Sequence, residues 1–305
     1  MGTVHALSPG RETVTVADAV DAYLATLSGP ESAGTHRVYS GVLRALAAEF
    51  GSETDVATLD GRRLAAWFTA RWGQRSPSTW NVSLDALRSS CRYWGDQGWL
   101  TSDPTTLLRR RRRAPDRSRA LSRAEVERLL NREDISIRER VLWRMLYETA
   151  ARSAELLRLD VEDLDMPNRR AKVRRKGGAI DVIVWQTGTA RLLPRLLKGR
   201  KNGPVFLTDR RARVELPPGD IDPASGRARL SYRQAEDLFK AASGGATLHQ
   251  LRHSALTHDA ENGASTPMLM AKSGHTSVAS LARYARPSAE ALARWQQVND
   301  PARRR

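Results

Sequence analysis

Apolar residues recur at three- and four-residue spacing through most of this chain, and that period confines it to a largely helical fold. Thr15 to Leu27 sets Val16, Ala19, Val20, Tyr23, Leu24 and Leu27 on one face before Gly29-Pro30 breaks the pattern. Ala33 to Phe50 repeats it with Val38, Tyr39, Val42, Leu43, Leu46 and Phe50, and Gly51 stands where a C-terminal glycine cap belongs. Gly61 to Trp72 is a third such run; Pro77 to Gln97, with Trp80, Leu84, Leu87, Cys91 and Trp94, is a fourth. Four amphipathic helices without a strand signal predict a small helical domain over 13–107, its aromatics mostly in the core.

The pattern stops between Leu107 and Ser122. Arg109 to Arg113 form an unbroken arginine run ahead of Pro115, so 108–121 reads as a basic linker. Such a run reads as a solvated connection and as a segment lying on a phosphate backbone, and both can hold. Ser122 and Glu125 then have capping-box spacing and open a second domain, 122–298, followed by a basic tail, 299–305. A length of 305 residues, at ~150 per domain, agrees with two. Helices are expected at about 122–131 and 135–149, with a short one after Arg152. Arg170–Arg175 and Ala179–Trp185 alternate as strands about Gly177-Gly178, a two-residue hairpin signal. Thr187–Leu197 is helical, and Asp209–Arg229 reads as a long basic loop. Helix starts follow at Ser231 with Gln234, Thr247 with Gln250, and Thr266-Pro267; a last helix covers Ser288–Val298.

Fifty Lys+Arg against thirty-four Asp+Glu give a formal charge of +16 and point to a polyanionic partner, most simply nucleic acid. A single cysteine, Cys91, excludes a disulfide framework and any multi-cysteine zinc site. No apolar stretch approaches the ~18 residues of a membrane span, and no basic start precedes an apolar segment, so the expectation is a cytoplasmic, nucleoid-associated protein that does not engage membranes. Only Lys172, Lys176, Lys198, Lys201, Lys240 and Lys272 are lysines, leaving 50 − 6 = 44 arginines. Coding bias accounts for the imbalance, and it makes a lysine at a chemically useful position more informative.

His249 and His253, four apart on one helix face, raise a metal site, but a His-Glu-x-x-His protease motif needs glutamate where this chain has Gln250. His249 and Arg252, three apart, share a face on which an imidazole and a guanidinium fork can grip a phosphate. Arg152 after an apolar helix, or Tyr284 alone, decides nothing.

The ordered set is more specific. Arg152-x-x-Glu155-Leu156, Lys176 at a hairpin tip, His249-x-x-Arg252-His253, Gly274-His275 and Tyr284 resemble the tyrosine recombinase, or phage integrase, family. Leu251-Arg252-His253-Ser254, Thr257-His258 and Glu261-Asn262-Gly263-Ala264 extend the likeness, which covers about 122–298 and, more loosely, Thr35–Tyr39 and Ser78–Trp94. The resemblance implies a mainly α protein: a SAM-like helical core-binding domain, then an α-rich catalytic domain with a small β-hairpin or sheet. It implies Tyr284 as nucleophile, forming a covalent 3′-phosphotyrosyl intermediate with no metal or other cofactor. Arg152 and Arg252 would clamp the phosphate, His249 would act as acid/base near the tyrosine and His275 would bond the phosphate. Lys176 would protonate the leaving 5′-oxygen, and Glu155 would orient the others.

The resemblance further implies a site-specific recombinase clamped in a C-shape on double-stranded DNA. Four protomers would exchange strands between two duplexes through a Holliday junction, from a monomer or weak oligomer when free. Two departures stand out: Ala150-Ala151 replaces a Thr-Gly pair frequent before the first arginine, and Ala285-Arg286 follows the tyrosine. The chain starting at its core-binding helices leaves little room for an arm-site domain, which favours a simple-site recombinase. A type IB topoisomerase-like strand transferase shares the chemistry, and a non-catalytic DNA-binding regulator shares the scaffold. The regulator predicts missing catalytic positions, and none of the six is missing.

Overall fold

The structure, a computed structural model, describes residues 13–29, 32–112, 120–175, 178–281 and 289–300. The chain divides into two compact units, one ending at Pro115 and the other starting at Asp116.

The first unit is helical: α1 (Val16–Ala25), α2 (Ala33–Phe50), α3 (Gly61–Trp72) and α4 (Pro77–Asp96). Thr15, Asp60 and Ser76 cap α1, α3 and α4 by accepting from the amides of Asp18, Arg63 and Thr79, which satisfies donors that a helix start leaves open. Gly51 ends α2 at φ 94°, a conformation that costs glycine little. The core holds Leu43, Leu46, Leu84, Leu87 and Trp94, all fully buried. The Trp94 indole donates to the Ala19 carbonyl at 2.7 Å and so ties α4 to α1. Cys91 lies in the same core, and burial pushes its thiol well above the usual range.

In the described part of the arginine run, Arg109, Arg110 and Arg112 are exposed and Arg111 is partly buried. Residues 109–112 lie along α4. The Trp80 indole donates to the Arg109 carbonyl (2.9 Å), and Asn81 both donates to the Arg111 carbonyl and accepts from the Arg111 amide, each at 2.8 Å. The Arg111 guanidinium sits 3.8 Å from the Trp80 ring centroid and donates to the Gly73 carbonyl at 2.7 Å. Arg110 pairs with Asp85. An arginine carries a long apolar stem and a planar head that stacks on indole, so even a polar run can dock on an aromatic face. Arg113 lies outside the described residues.

The second unit runs α5 (Arg123–Leu130), α6 (Ile137–Thr149), α7 (Ser153–Leu157), β1 (Leu164–Asp165), β2 (Arg170–Arg174), β3 (Ile180–Val184), α8 (Thr187–Leu197), β4 (Leu207–Arg211), β5 (Arg227–Arg229), α9 (Tyr232–Ser243), α10 (Leu248–Glu261), α11 (Thr266–Ser273), α12 (Val278–Leu281) and α13 (Ala289–Asn299). Two small antiparallel sheets, β1-β2-β3 and β4-β5, complete a mainly α architecture. The core gathers around α6, with Val141, Trp143, Met145 and Leu146 fully buried against Leu193, Phe206, Phe239 and Leu251.

Helix α8 has no side-chain cap of its own; the buried Glu148 of α6 accepts from the amides of Gln186 (2.8 Å) and Thr189 (3.2 Å) instead. Ser122 and Glu125 form a reciprocal capping box at α5, whereas at α9 Ser231 accepts from the Gln234 amide in a one-sided cap. In the β2-β3 ladder Arg174 faces Ile180, and Arg175 N donates to Ala179 O, leaving three residues between the last bonded pair where the sequence suggests two.

The stretch 209–229 is not one long loop. It contains part of β4, a helical turn at Pro218–Asp220 and β5. Arg229 donates to Asp220 (2.6 Å) and Asp160 (2.8 Å), while Asp222, 2% exposed, accepts from Ser225. These strands pair across an intervening turn, and neither alternates in hydrophobicity, so their sequence carries no strand period.

Candidate active site

Helix α6 stops at Thr149, whose hydroxyl donates to the Met145 carbonyl and accepts from the Ala151 amide. Ala150 then adopts the left-handed conformation at φ 50°, which costs a residue with a Cβ roughly 1–2 kcal/mol. The glycine of a Thr-Gly pair would occupy this position. The pair in register is therefore Thr149-Ala150, with the threonine kept, rather than Ala150-Ala151. This turn aims the Ala150 carbonyl at Arg252 Nη1 and places Arg152 at the start of α7.

Glu155, three residues on, accepts the Arg152 amide at Oε2 (2.9 Å) and Arg152 Nη1 at Oε1 (2.8 Å). Its side chain is 5% exposed, while that of Arg152 is 42% exposed and so remains accessible to an anion.

Thr247 and Gln250 form a reciprocal capping box at the start of α10, and Glu236 accepts from the Leu248 amide. Gln250 thus serves the helix start. One turn into α10, Arg252 is 4% exposed, and its Nη2 donates to the Ser273 carbonyl at 2.8 Å. A buried guanidinium needs hydrogen-bond acceptors to offset lost hydration, and two main-chain carbonyls supply them here. His249 is exposed on α10, three residues before Arg252 and on the same face.

The C-terminal end of α11 is where these parts meet. Its last carbonyls lack partners within the helix and carry the negative end of its dipole. Ser273 O accepts from Arg252, and Gly274 O lies 3.4 Å from Arg152 Nη2. A third cation is present: Arg175 Nη1 donates to Glu155 Oε2 at 2.7 Å and reaches Ser273 O at 3.5 Å. Gly274 adopts φ 63°, which favours glycine, and a Cβ there would displace the Arg175 guanidinium from its place.

Ser273 Oγ gives its one proton to the Leu269 carbonyl (2.6 Å), so it accepts from His275 Nδ1–H (2.6 Å). That fixes the ring tautomer in the neutral state. Among the described residues no group of three or more His, Cys, Asp or Glu side chains is placed to hold a metal ion.

The structure thus brings together Arg152, Glu155, Arg252 and His275 around one helix end. Lys176 and Tyr284, both singled out in the sequence, lie outside the described residues. Arg175 and Ser273 join the site without having been singled out. The only sequence signal for the first is its place beside Lys176, and for the second its place before Gly274-His275.

Residues 119–291 match the model of the phage integrase family. The chain is 30% identical over 306 residues to a tyrosine recombinase XerC of Mycobacterium sp. (strain KMS), spanning 94% of this chain and 98% of that protein. It is 31% identical over 309 residues to a tyrosine recombinase XerC of Mycobacterium tuberculosis (strain ATCC 25177 / H37Ra), with the same coverage. Among solved structures, the Tn1549 transposon integrase in complex with circular intermediate DNA aligns at TM-score 0.69 and 16% identity, over 93% of this chain and 99% of that one. A lambda integrase tetramer bound to a Holliday junction aligns at TM-score 0.69 and 15% identity, over 90% of this chain and 78% of that one. At those identities the likeness to solved structures concerns the fold.

Proposed function

The chain belongs to the phage integrase family of tyrosine recombinases, and from that premise we propose that it cleaves and rejoins duplex DNA through Tyr284. The observation that carries the reading is the convergence of Arg152 and Arg252 on the last carbonyls of α11, with Glu155 and His275 at the same place.

Tyr284 Oη attacks phosphorus and passes its proton to His249. The P–O5′ bond breaks as Lys176 protonates the departing O5′, leaving a 3′-phosphotyrosyl ester. Charge rises on the non-bridging oxygens at the pentavalent stage. Guanidinium groups held beforehand by carbonyls and a carboxylate meet that charge without reorganising. Arg152, the more exposed, reaches the phosphate from the solvent side, and Arg252 does so from within. Reversal by a free 5′-hydroxyl rejoins the strand, because phenoxide is a better leaving group than an alkoxide. The residues supply all of this chemistry, with no metal or nucleotide in any step.

The exposed Leu292, Trp295 and Val298 of α13, at three-residue spacing, support docking between protomers, and hence a tetramer exchanging strands between two duplexes. No helix among the described residues is long and apolar enough to cross a membrane, and the reading places the enzyme on DNA in the cytoplasm.

Covalent trapping on genomic DNA tests this. Denaturing capture should recover a discrete crossover site, with a phosphotyrosine at 284 in the digested adduct. Recovery of random sites would support a topoisomerase-like transferase. Reproducible site occupancy without any adduct would support a DNA-binding regulator.

A further inference from the structure

Arg175, like Ser273, is a residue at the site to which the sequence assigns no task. It is the last residue before Lys176, and its side chain is 8% exposed. Its Nη1 pairs with Glu155 Oε2 (2.7 Å), and its Nε pairs with Asp181 Oδ2 on β3 (3.0 Å). Its head fills the space that the missing Cβ of Gly274 leaves open. Nη2 is buried with no acceptor among the described residues, so the guanidinium is held here at the cost of one unsatisfied donor.

Glu155 is the joint. One carboxylate oxygen takes Arg152 Nη1; the other takes the Arg152 amide and Arg175 Nη1. The phosphate-clamping arginine and the base of the β2-β3 hairpin therefore share a single anchor. With Asp181 Oδ2 accepting from Nε, Arg175 also braces the opposite strand of that hairpin.

We propose that Arg175 is a positioning residue that locks the hairpin base to Glu155 and the α11 end, and thereby sets the reach of the adjacent Lys176 toward the leaving oxygen. This rests on the reading of Lys176 as general acid. The buried guanidinium does not itself touch DNA. Its effect passes through the residue that follows it and falls on protonation of O5′, whereas phosphate charge remains the task of Arg152 and Arg252.

The test separates proton delivery from charge stabilisation. Single-turnover cleavage is measured on duplexes carrying the wild-type crossover site, with oxygen or sulfur at the 5′-bridging position. A thiolate leaves without a proton, since a thiol pKa is near ~8.5. Lys176→Ala and Arg152→Ala serve as references. Arg175→Gln should be slowed about 100-fold on the oxygen ester, the low end of what general acid catalysis contributes, yet fall within about tenfold of wild type on the sulfur ester. Lys176→Ala should show the same recovery and Arg152→Ala should not.

An Arg175→Gln protein that is equally slow on both substrates, or unimpaired on both, overturns the proposal while Lys176→Ala still recovers. If Lys176→Ala fails to recover, the general-acid reading falls and takes this role for Arg175 with it. Should Arg175→Gln not fold, Asp181→Asn loosens the same brace from a 43% exposed side chain. It should show a smaller oxygen-selective loss, and equal rates to wild type on both substrates would overturn the proposal.

Discussion

At the scale of single residues, the site is organised by what each polar atom does with its neighbours. Ser273 shows this best. Its carbonyl takes Arg252, and its hydroxyl, committed to Leu269, leaves only a lone pair for His275 Nδ1. A second histidine nearby has a different task. His258 is 5% exposed, its Nδ1 lies 2.7 Å from the Tyr147 hydroxyl, and its carbonyl accepts from Arg123. Burial first, and then the Arg123 charge, hold its imidazole below the usual 6.5. In the window between that lowered value and 6.5 the unfolded chain binds the extra proton. Stability is therefore fully present above about pH 6.5 and is lost as pH falls through the folded value. Urea unfolding of the wild type from about pH 7.5 to pH 5 should show a loss that His258→Gln lacks, whereas parallel slopes would mean that another group carries the acid sensitivity.

At the scale of elements, helices are legible where one face is apolar. Ala33–Phe50, Gly61–Trp72 and Thr187–Leu197 follow the spacing of Leu43, Phe68 and Leu193 and their neighbours. Strands β4 and β5 are not legible, since Asp209, Arg210, Arg211 and Arg227 give no period, and Arg229 of β5 is held by Asp160 and Asp220, which lie in neither strand. The docking of the arginine run is hidden for a related reason: charge says nothing of an indole thirty residues away. Arg111→Ala removes the stack on Trp80 and the bond to Gly73, and should destabilise the helical unit by about 1–2 kcal/mol in denaturant melts. Changing the exposed Arg109, Arg110 and Arg112 to Ala should leave stability nearly intact and lower the slope of log K against log salt by about 0.9 for each phosphate that is no longer neutralised. An unchanged slope would remove this segment from the DNA interface. For the candidate site, Arg152, Glu155, Arg252 and His275 are readable as an ordered motif. Arg175 is not, because its role depends on a glycine about a hundred residues downstream.

At the scale of the whole molecule, the proposed assembly and the proposed chemistry rest on different elements. Leu292, Trp295 and Val298 stand on α13, apart from the arginines at the end of α11. Replacing Leu292 and Trp295 with Ser should preserve cleavage of a single site and reduce strand exchange between two sites at least tenfold, about 1.4 kcal/mol of docking energy. Loss of both activities together would indicate that α13 supports the fold rather than a neighbour. The central claim is covalent catalysis by one side chain in a field of prearranged arginines, and one comparison addresses it most directly. Wild type and Tyr284→Phe are incubated with a nicked duplex bearing the mapped crossover site, and binding and denaturant-resistant adduct are measured on the same samples. Equal site binding is expected, with an adduct for wild type and none for Tyr284→Phe, because only the attacking oxygen is removed. An adduct formed by Tyr284→Phe would contradict the central claim.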